Sequence, residues 1–190
     1  TESQTHRQMA SALPCPIGFK NGTDGNINIA IDAIHAAKSS HHICVSGFGE
    51  APIAAMTKGN PAVHVILRGG KKPNYSNEHV CEVTKQLESS GLTPNLIVDC
   101  SHGNSLKVAK NQLNVARDIA QQIIDGEQYI AGVMSESFLI GGAQSIGDFP
   151  LTKGQSITDE CLSWEDTVAI LDIFANAKAE AERKQFSTVA

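Results

Sequence analysis

Residues 95–105 of the chain are NLIVDCSHGNS, an apolar and largely β-branched run that ends abruptly in polar residues. The apolar part predicts a short strand that is buried on both faces, and such strands are typical of parallel sheets covered by helices. His102 follows this strand directly, at the carboxyl end where a parallel α/β sheet binds its ligands. Whether His102 is a turn residue or part of a site depends on the residues that follow the other predicted strands.

The same arrangement, an extended apolar run followed by an amphipathic helical pattern, occurs four times along the chain. The first predicted unit is Pro14–Lys20 with a helix over 23–38, and the second is His42–Ser46, continued by Ala62–Arg68, with a helix from Ser76 to the stop signal Gly91. The third unit is Asn95–Asp99 with a helix over 105–125. The fourth is Tyr129–Ser135, followed by a Gly-rich loop and a helix over 164–184. Four βα units in series predict an α/β fold with a parallel sheet. No linker divides the chain, so we expect one domain over 1–190, with 178–190 as a helical or frayed tail.

The composition limits the class of protein. The chain has 190 residues, of which 41% are hydrophobic and 18% charged, as in a soluble globular domain. A formal net charge of -5 gives no general electrostatic reason to bind nucleic acid or an acidic membrane, and no apolar run is long enough to span one. Five cysteines without a CxxC pair suit reduced thiols, so we expect a cytoplasmic protein.

Each predicted unit places one chemically versatile side chain at the carboxyl end of its strand. These side chains are Lys20, Arg68, His102 and Glu136. Each residue taken alone is commonly a solvated loop residue, a turn residue or a cap. Their equivalent positions favour one shared site, because the βα loops of a parallel sheet converge at that edge.

The residue types at this edge complement one another. Lys20 and Arg68 are cationic donors, and arginine can hold a phosphate or carboxylate through two parallel hydrogen bonds. His102 and Glu136 are metal-ligand types, and Asp159 lies in the loop after the fourth strand. An imidazole with two carboxylates suits Mn, Fe, Co or Zn and leaves positions open for substrate or water. The spacing is not a compact metal motif, so ordinary loop roles stay open at this point.

Five motifs in this order resemble the carboxyl-terminal half of a class I 3-deoxy-D-arabino-heptulosonate-7-phosphate (DAHP) synthase. The motifs are GFKNGTDG, ILRGGKKPNY, VDCSHGNS, GVMSESFL and SITDECLSWEDT. The resemblance extends from Thr1 to about Ala177. It implies a (β/α)8 TIM barrel, of which this chain supplies about the last four βα units.

The resemblance also implies an activity. The family condenses phosphoenolpyruvate with erythrose 4-phosphate to give DAHP and phosphate, the first step of the shikimate pathway of aromatic amino acid biosynthesis. It implies that Lys20 and His102 are catalytic, that Lys20, Arg68 and His102 bind phosphoenolpyruvate, and that His102, Glu136 and Asp159 bind a divalent metal ion. A homodimer or homotetramer is implied as well, with an aromatic amino acid inhibitor near Pro14, Ile43 and Val45.

The chain departs from the family pattern at several positions. Gly141 stands where the family leads us to expect Glu, Lys153 where we expect Tyr, Glu160 where we expect a small residue, and Gly47–Glu50 where we expect a Lys-containing string. The matching position of Cys100 is not a ligand in the family, whose fourth ligand is a cysteine of the other half. Four strands cannot close an eight-stranded barrel, so we expect the isolated chain to be inactive.

Two other interpretations stay open. One is a related metal-dependent synthase that condenses phosphoenolpyruvate with a different aldose phosphate. The other is a non-catalytic half-barrel that assembles through an exposed sheet edge.

Overall fold

The computed structural model describes residues 1–46, 49, 51–147 and 149–188, so the unusual string Gly47–Glu50 lies outside the described residues except for Gly49. The helices of this part are α1 (Gln4–Ala12), α2 (Asn28–Lys38), α3 (Asn77–Ser89), α4 (Asn111–Ile124) and α5 (Trp164–Thr188). The strands are β1 (Ile17–Lys20), β2 (His42–Ser46), β3 (Pro52–Met56), β4 (Val63–Leu67), β5 (Leu96–Asp99), β6 (Ile130–Met134), β7 (Ile140–Ala143) and β8 (Gln155–Ser156).

Four strands form one parallel sheet in the order β1-β4-β5-β6. The register pairs Lys20 with Ile66 and Asp99 with Met134, so the carboxyl ends of all four strands lie at the same edge. The α/β class with a parallel sheet is therefore confirmed. Among the described residues β1 and β6 each pair with one strand of this sheet, which is open and not a closed barrel.

The sheet is stabilised by helices whose apolar residues recur every three or four positions. Helix α3 buries Val80, Val83 and Leu87, and α2 and α4 bury comparable stripes. They pack in one core with Leu67 and Leu96, which are fully buried. Burying each such side chain contributes about 1.5–3 kcal/mol. The packing holds the strand ends, and the loops that follow them, in fixed positions.

The prediction for the second βα unit was wrong in one respect. His42–Ser46 was expected to continue into Ala62–Arg68, but β2 pairs antiparallel with β3 in a separate two-stranded sheet. Most residues of β2 are exposed, whereas β4 is buried between its parallel neighbours. An apolar run that belongs to an exposed hairpin looks like a core strand in sequence, which explains the error.

Two predicted helices begin later than expected. Helix α2 begins at Asn28 rather than near residue 23, after Gly25 with a φ of 96°. Helix α4 begins at Asn111 rather than near residue 105, because Leu106 and Lys107 also have positive φ, which a right-handed helix excludes. Helix α5 agrees with the predicted helix and continues into the expected tail.

No helix in the described part of the chain combines the length and the apolar character that crossing a bilayer requires.

Candidate active site

A buried carboxylate lies at the centre of the strand ends. Asp99 is the last residue of β5 and is fully buried. Its Oδ2 lies 2.8 Å from Lys20 Nζ and 2.8 Å from His102 Nδ1, and its Oδ1 accepts a hydrogen bond of 2.9 Å from the backbone N–H of Ser101. Sequence reasoning missed this residue, although an acidic residue that ends an otherwise apolar strand is a signal that could have identified it.

His102 lies between two carboxylates in an unusual backbone conformation. Its φ is 51°, a left-handed value that is uncommon outside glycine and is often found at functional sites. The imidazole turns Nδ1 toward Asp99, while its Nε2 lies 3.4 Å from Glu136 Oε1. The side chain is 19% exposed, so one edge of the ring faces the cleft.

His102, Glu136 and Asp159 together can hold a metal ion. Each offers one ligand atom, and the three atoms lie within 4.8 Å of one another. Metal–ligand bonds of about 2.0–2.2 Å separate two ligands of one ion by roughly 3–4.4 Å, so a small closure suffices. A carboxylate behind a ligating histidine, the position of Asp99, is the usual partner of such an imidazole. The residues present therefore fit a divalent cation, and they line a cleft of about 240 Å³.

Buried polar side chains fix Glu136 in place. Its Oε2 accepts a 2.9 Å hydrogen bond from the hydroxyl of Ser101. Gln112, which is fully buried on α4, accepts a hydrogen bond from the backbone N–H of Glu136 through Oε1 and donates one to its carbonyl through Nε2, at 3.0 and 3.1 Å. The backbone on which Glu136 sits is thus held on both sides before any ligand binds.

Asp159 lies in an exposed loop, and hydrogen bonds of the nearby residues Glu160 and Leu162 attach this loop to the rest of the fold. Glu160 Oε2 accepts a 3.2 Å hydrogen bond from the backbone N–H of Ala109, just before α4. Leu162 donates its backbone N–H to the carbonyl of Glu136 at 2.9 Å. Desolvation, together with the charges of Glu136 and Asp159, raises the pKa of the Cys161 thiol, which keeps it protonated beside the carboxylates.

A second cleft, of about 510 Å³, has a cationic wall formed by Lys20 and Arg68, and the acidic residues Glu2 and Asp24 also line it. Asn21 lines the same cleft. Within the described part of the chain, the Arg68 guanidinium has no hydrogen-bond or ion-pair partner. Arginine and lysine at the wall of an open cleft are suited to bind a phosphate or a carboxylate.

Comparison with known proteins identifies the family of the chain. Residues 1–172 match the model of the DAHP synthetase I family. The chain belongs to this family. It is 52% identical over 178 residues to the Trp-sensitive phospho-2-dehydro-3-deoxyheptonate aldolase of Escherichia coli K12, a match that covers 93% of this chain and 51% of that protein. The Phe-sensitive aldolase of the same strain is 52% identical over 179 residues, with the same coverage.

A solved DAHP synthase relative has the same fold. The phospho-2-dehydro-3-deoxyheptonate aldolase from Francisella tularensis SCHU S4 superposes with a TM-score of 0.90 at 43% identity, covering 95% of this chain and 53% of that one. The chain thus spans about half the length of the relatives that it matches.

In this member of the DAHP synthetase I family, the predicted site residues lie around one strand edge. Lys20 and His102 meet at Asp99, His102 meets Glu136, and Asp159 completes the possible ligand set. Arg68 shares its cleft with Lys20. The roles that the resemblance implies for these residues stay predictions.

Three asparagines that sequence reasoning missed connect the loops of this edge. Asn21 accepts the backbone N–H of Arg68 at 2.8 Å, Asn74 accepts that of Gly69 at 2.7 Å, and Asn104 accepts that of Asn74 at 2.8 Å. The loops approach so closely that a Cβ on Gly103 would lie 2.8 Å from the backbone nitrogen of Gly70. The motifs contain these residues, but their function as connectors becomes visible only in three dimensions.

Proposed function

We propose that this chain forms the carboxyl-terminal half of a (β/α)8 barrel, as one domain over 1–190, and that the complete barrel condenses phosphoenolpyruvate with erythrose 4-phosphate to give DAHP and phosphate. The observation that carries the proposal is that Lys20 and His102 meet at Asp99 and that His102 also meets Glu136, in a chain of the DAHP synthetase I family. The protein is then a cytoplasmic transferase of aromatic amino acid biosynthesis.

The cationic wall supports the binding of phosphoenolpyruvate. Arg68 offers a guanidinium fork that is unpaired among the described residues to the phosphate or carboxylate, and Lys20 offers an ammonium on a side chain that is 32% exposed. These two charges offset the repulsion between two phosphorylated substrates that have to approach within bonding distance. Lys20, whose ammonium contacts the same Asp99 oxygen as His102, would donate a hydrogen bond to the aldehyde oxygen as that oxygen gains negative charge.

The first cleft, which His102, Glu136 and Asp159 line, supports a metal dependence. His102, Glu136 and Asp159 would hold the divalent ion, whether Mn, Fe, Co or Zn, with a further ligand from the other half of the barrel. Such an ion supplies Lewis-acid polarisation of a carbonyl or of a water. The chain itself places Asp99 2.8 Å from His102 Nδ1 and fixes Glu136 through Ser101 and Gln112.

A homodimer or homotetramer is proposed from the family resemblance, and regulation from the names of the relatives. The two Escherichia coli proteins are named as Trp-sensitive and Phe-sensitive. We extend this to an aromatic amino acid that inhibits the complete protein, with Pro14, Ile43 and Val45 as candidate contacts. Pro14 and Val45 are exposed, which makes them available for such contacts.

The test uses a complete barrel, made by joining this chain to the amino-terminal half of the Trp-sensitive Escherichia coli relative. We expect metal-dependent release of phosphate from phosphoenolpyruvate with erythrose 4-phosphate, and none from the 190-residue chain alone. His102→Ala and Glu136→Ala should abolish activity and metal binding, whereas His35→Ala, an exposed change on α2, should preserve both.

Arg68→Ala should raise the KM for phosphoenolpyruvate, with Arg117→Ala on the exposed surface of α4 as the matched control. Two results would contradict the proposal: a clear preference of the complete barrel for arabinose 5-phosphate, or full activity with normal metal content in the His102→Ala protein. Turnover by a monomer of the isolated chain would refute the requirement for a second half.

A further inference from the structure

The buried Asp99 carboxylate faces three donors, two of which approach the same oxygen. Its Oδ1 accepts the backbone N–H of Ser101, which leaves Oδ2 for both side-chain donors. Lys20 Nζ and His102 Nδ1 each lie 2.8 Å from that one oxygen.

The two donors do not share the oxygen equally. The Lys20 ammonium makes an aligned hydrogen bond to Oδ2. His102 Nδ1 is close but misaligned, so it is a buried nitrogen without a hydrogen-bond partner among the described residues. A buried donor without a partner is costly, and the imidazole gains if Lys20 releases the oxygen.

A bound anion in the neighbouring cleft would compete with Asp99 for Lys20. The Lys20 side chain lines the cleft that it shares with Arg68 and is 32% exposed, whereas the Asp99 side chain is fully buried. An anion bound in that cleft gives the ammonium a second acceptor and draws it away from Asp99. His102 can then align Nδ1 with Oδ2, which fixes the ring with Nε2 facing Glu136 and strengthens the imidazole as a metal ligand.

We propose that Asp99 is a positioning residue whose shared Oδ2 couples anion binding at Lys20 to metal binding at His102, so that each ligand strengthens the other. This inference rests on the proposed function for the identity of the two ligands, phosphoenolpyruvate and a divalent cation. Reciprocity follows from thermodynamic linkage: the factor by which the anion lowers the metal Kd equals the factor by which the metal lowers the anion Kd.

The experiment measures the Kd of Mn²⁺ in the complete barrel by electron paramagnetic resonance of the free ion, with and without saturating phosphoenolpyruvate. The ratio of the two Kd values is the coupling factor, which we expect to be roughly tenfold in the wild type. Asp99→Asn should lower the factor about fivefold. Asp172→Asn, the same change at an exposed position of α5 outside both clefts, should preserve it.

A second variant, Lys20→Met, should strengthen Mn²⁺ binding and leaves the buried Asp99 carboxylate in place. Lys20→Met frees Oδ2 for His102, so Mn²⁺ should bind more tightly without phosphoenolpyruvate, and this gain should disappear in the Lys20→Met/Asp99→Asn double variant. Lys107→Met removes a positive charge beside the metal cleft and separates simple electrostatics from the effect through Asp99.

The results of these measurements distinguish a failure of the coupling through Asp99 from a failure of the proposed function. If the wild-type barrel binds both ligands but Asp99→Asn keeps the wild-type factor within about twofold, or if Lys107→Met tightens Mn²⁺ as much as Lys20→Met does, the coupling through Asp99 is wrong. If the wild-type barrel binds neither ligand, the proposed function is wrong and the coupling with it.

Discussion

Replacing Asn104 by alanine should destabilise the protein strongly, although Asn104 belongs to no catalytic group. The side chain is 3% exposed. Its Nδ2 donates to the carbonyls of Leu67 and Asp99 at 3.1 and 2.8 Å, and its Oδ1 accepts the backbone N–H of Asn74 at 2.8 Å. The alanine variant loses three hydrogen bonds and leaves buried backbone groups without this partner. At about 1 kcal/mol for each bond, the free energy of unfolding should fall by about 3 kcal/mol.

Urea unfolding followed by circular dichroism measures this loss. With an m-value of about 2 kcal/mol per M, a loss of about 3 kcal/mol lowers the midpoint by about 1.5 M. Asn114→Ala is the matched control, because Asn114 lies on the exposed face of α4 and contacts only Arg117 through its side chain in the described part of the chain. A loss below about 0.5 kcal/mol in the Asn104 variant, which is the range of an exposed substitution, would refute the reasoning.

Two further predictions concern residues beside the site. Burial, aided by the charge of Asp99, raises the pKa of the Cys100 thiol to about 12. As the pH rises, the thiol ionises in the unfolded protein before it does in the folded protein, so the free energy of unfolding should fall between about pH 9 and pH 12. Cys100→Ala should remove this fall when urea unfolding is measured as a function of pH. Glu160→Ala frees the loop of Asp159 from Ala109 and should raise the Mn²⁺ Kd of the complete barrel about tenfold, while the exposed Glu165→Ala should leave it unchanged. An unchanged pH dependence, or an unchanged Kd, would contradict the respective argument.

The parallel sheet could be predicted because its strands have a local signature. Leu96, Ile97 and Val98 are apolar at consecutive positions, and glycines or capping residues bound the helices on either side, as Ser76 and Gly91 do for α3. The positions of the four site residues follow from that pattern: Lys20 ends β1, and Arg68, Glu136 and His102 follow the ends of β4, β6 and β5 by one, two and three residues.

Features that depend on three-dimensional neighbours could not be predicted in this way. The hairpin of β2 and β3 has the composition of a core strand, and only its antiparallel pairing shows that it lies outside the parallel sheet. The late start of α4 depends on positive φ values at Leu106 and Lys107. Leucine and lysine are not residue types that indicate a positive φ, so the sequence does not reveal this conformation. Asp99 looked like the end of a strand, and its role depends on side chains 79 residues before it and three residues after it.

The same polar side chains stabilise the fold and arrange the site. Asn104 connects the ends of β4 and β5, and Gln112 connects α4 to the residues after β6. Amides suit these positions because each offers a donor and an acceptor without a charge, so it can satisfy backbone groups of two loops at once. A charged side chain in the same place would need a counterion in a buried region, where charges are costly. The buried charge at this edge is therefore concentrated on Asp99, where Lys20 and His102 compete for one oxygen.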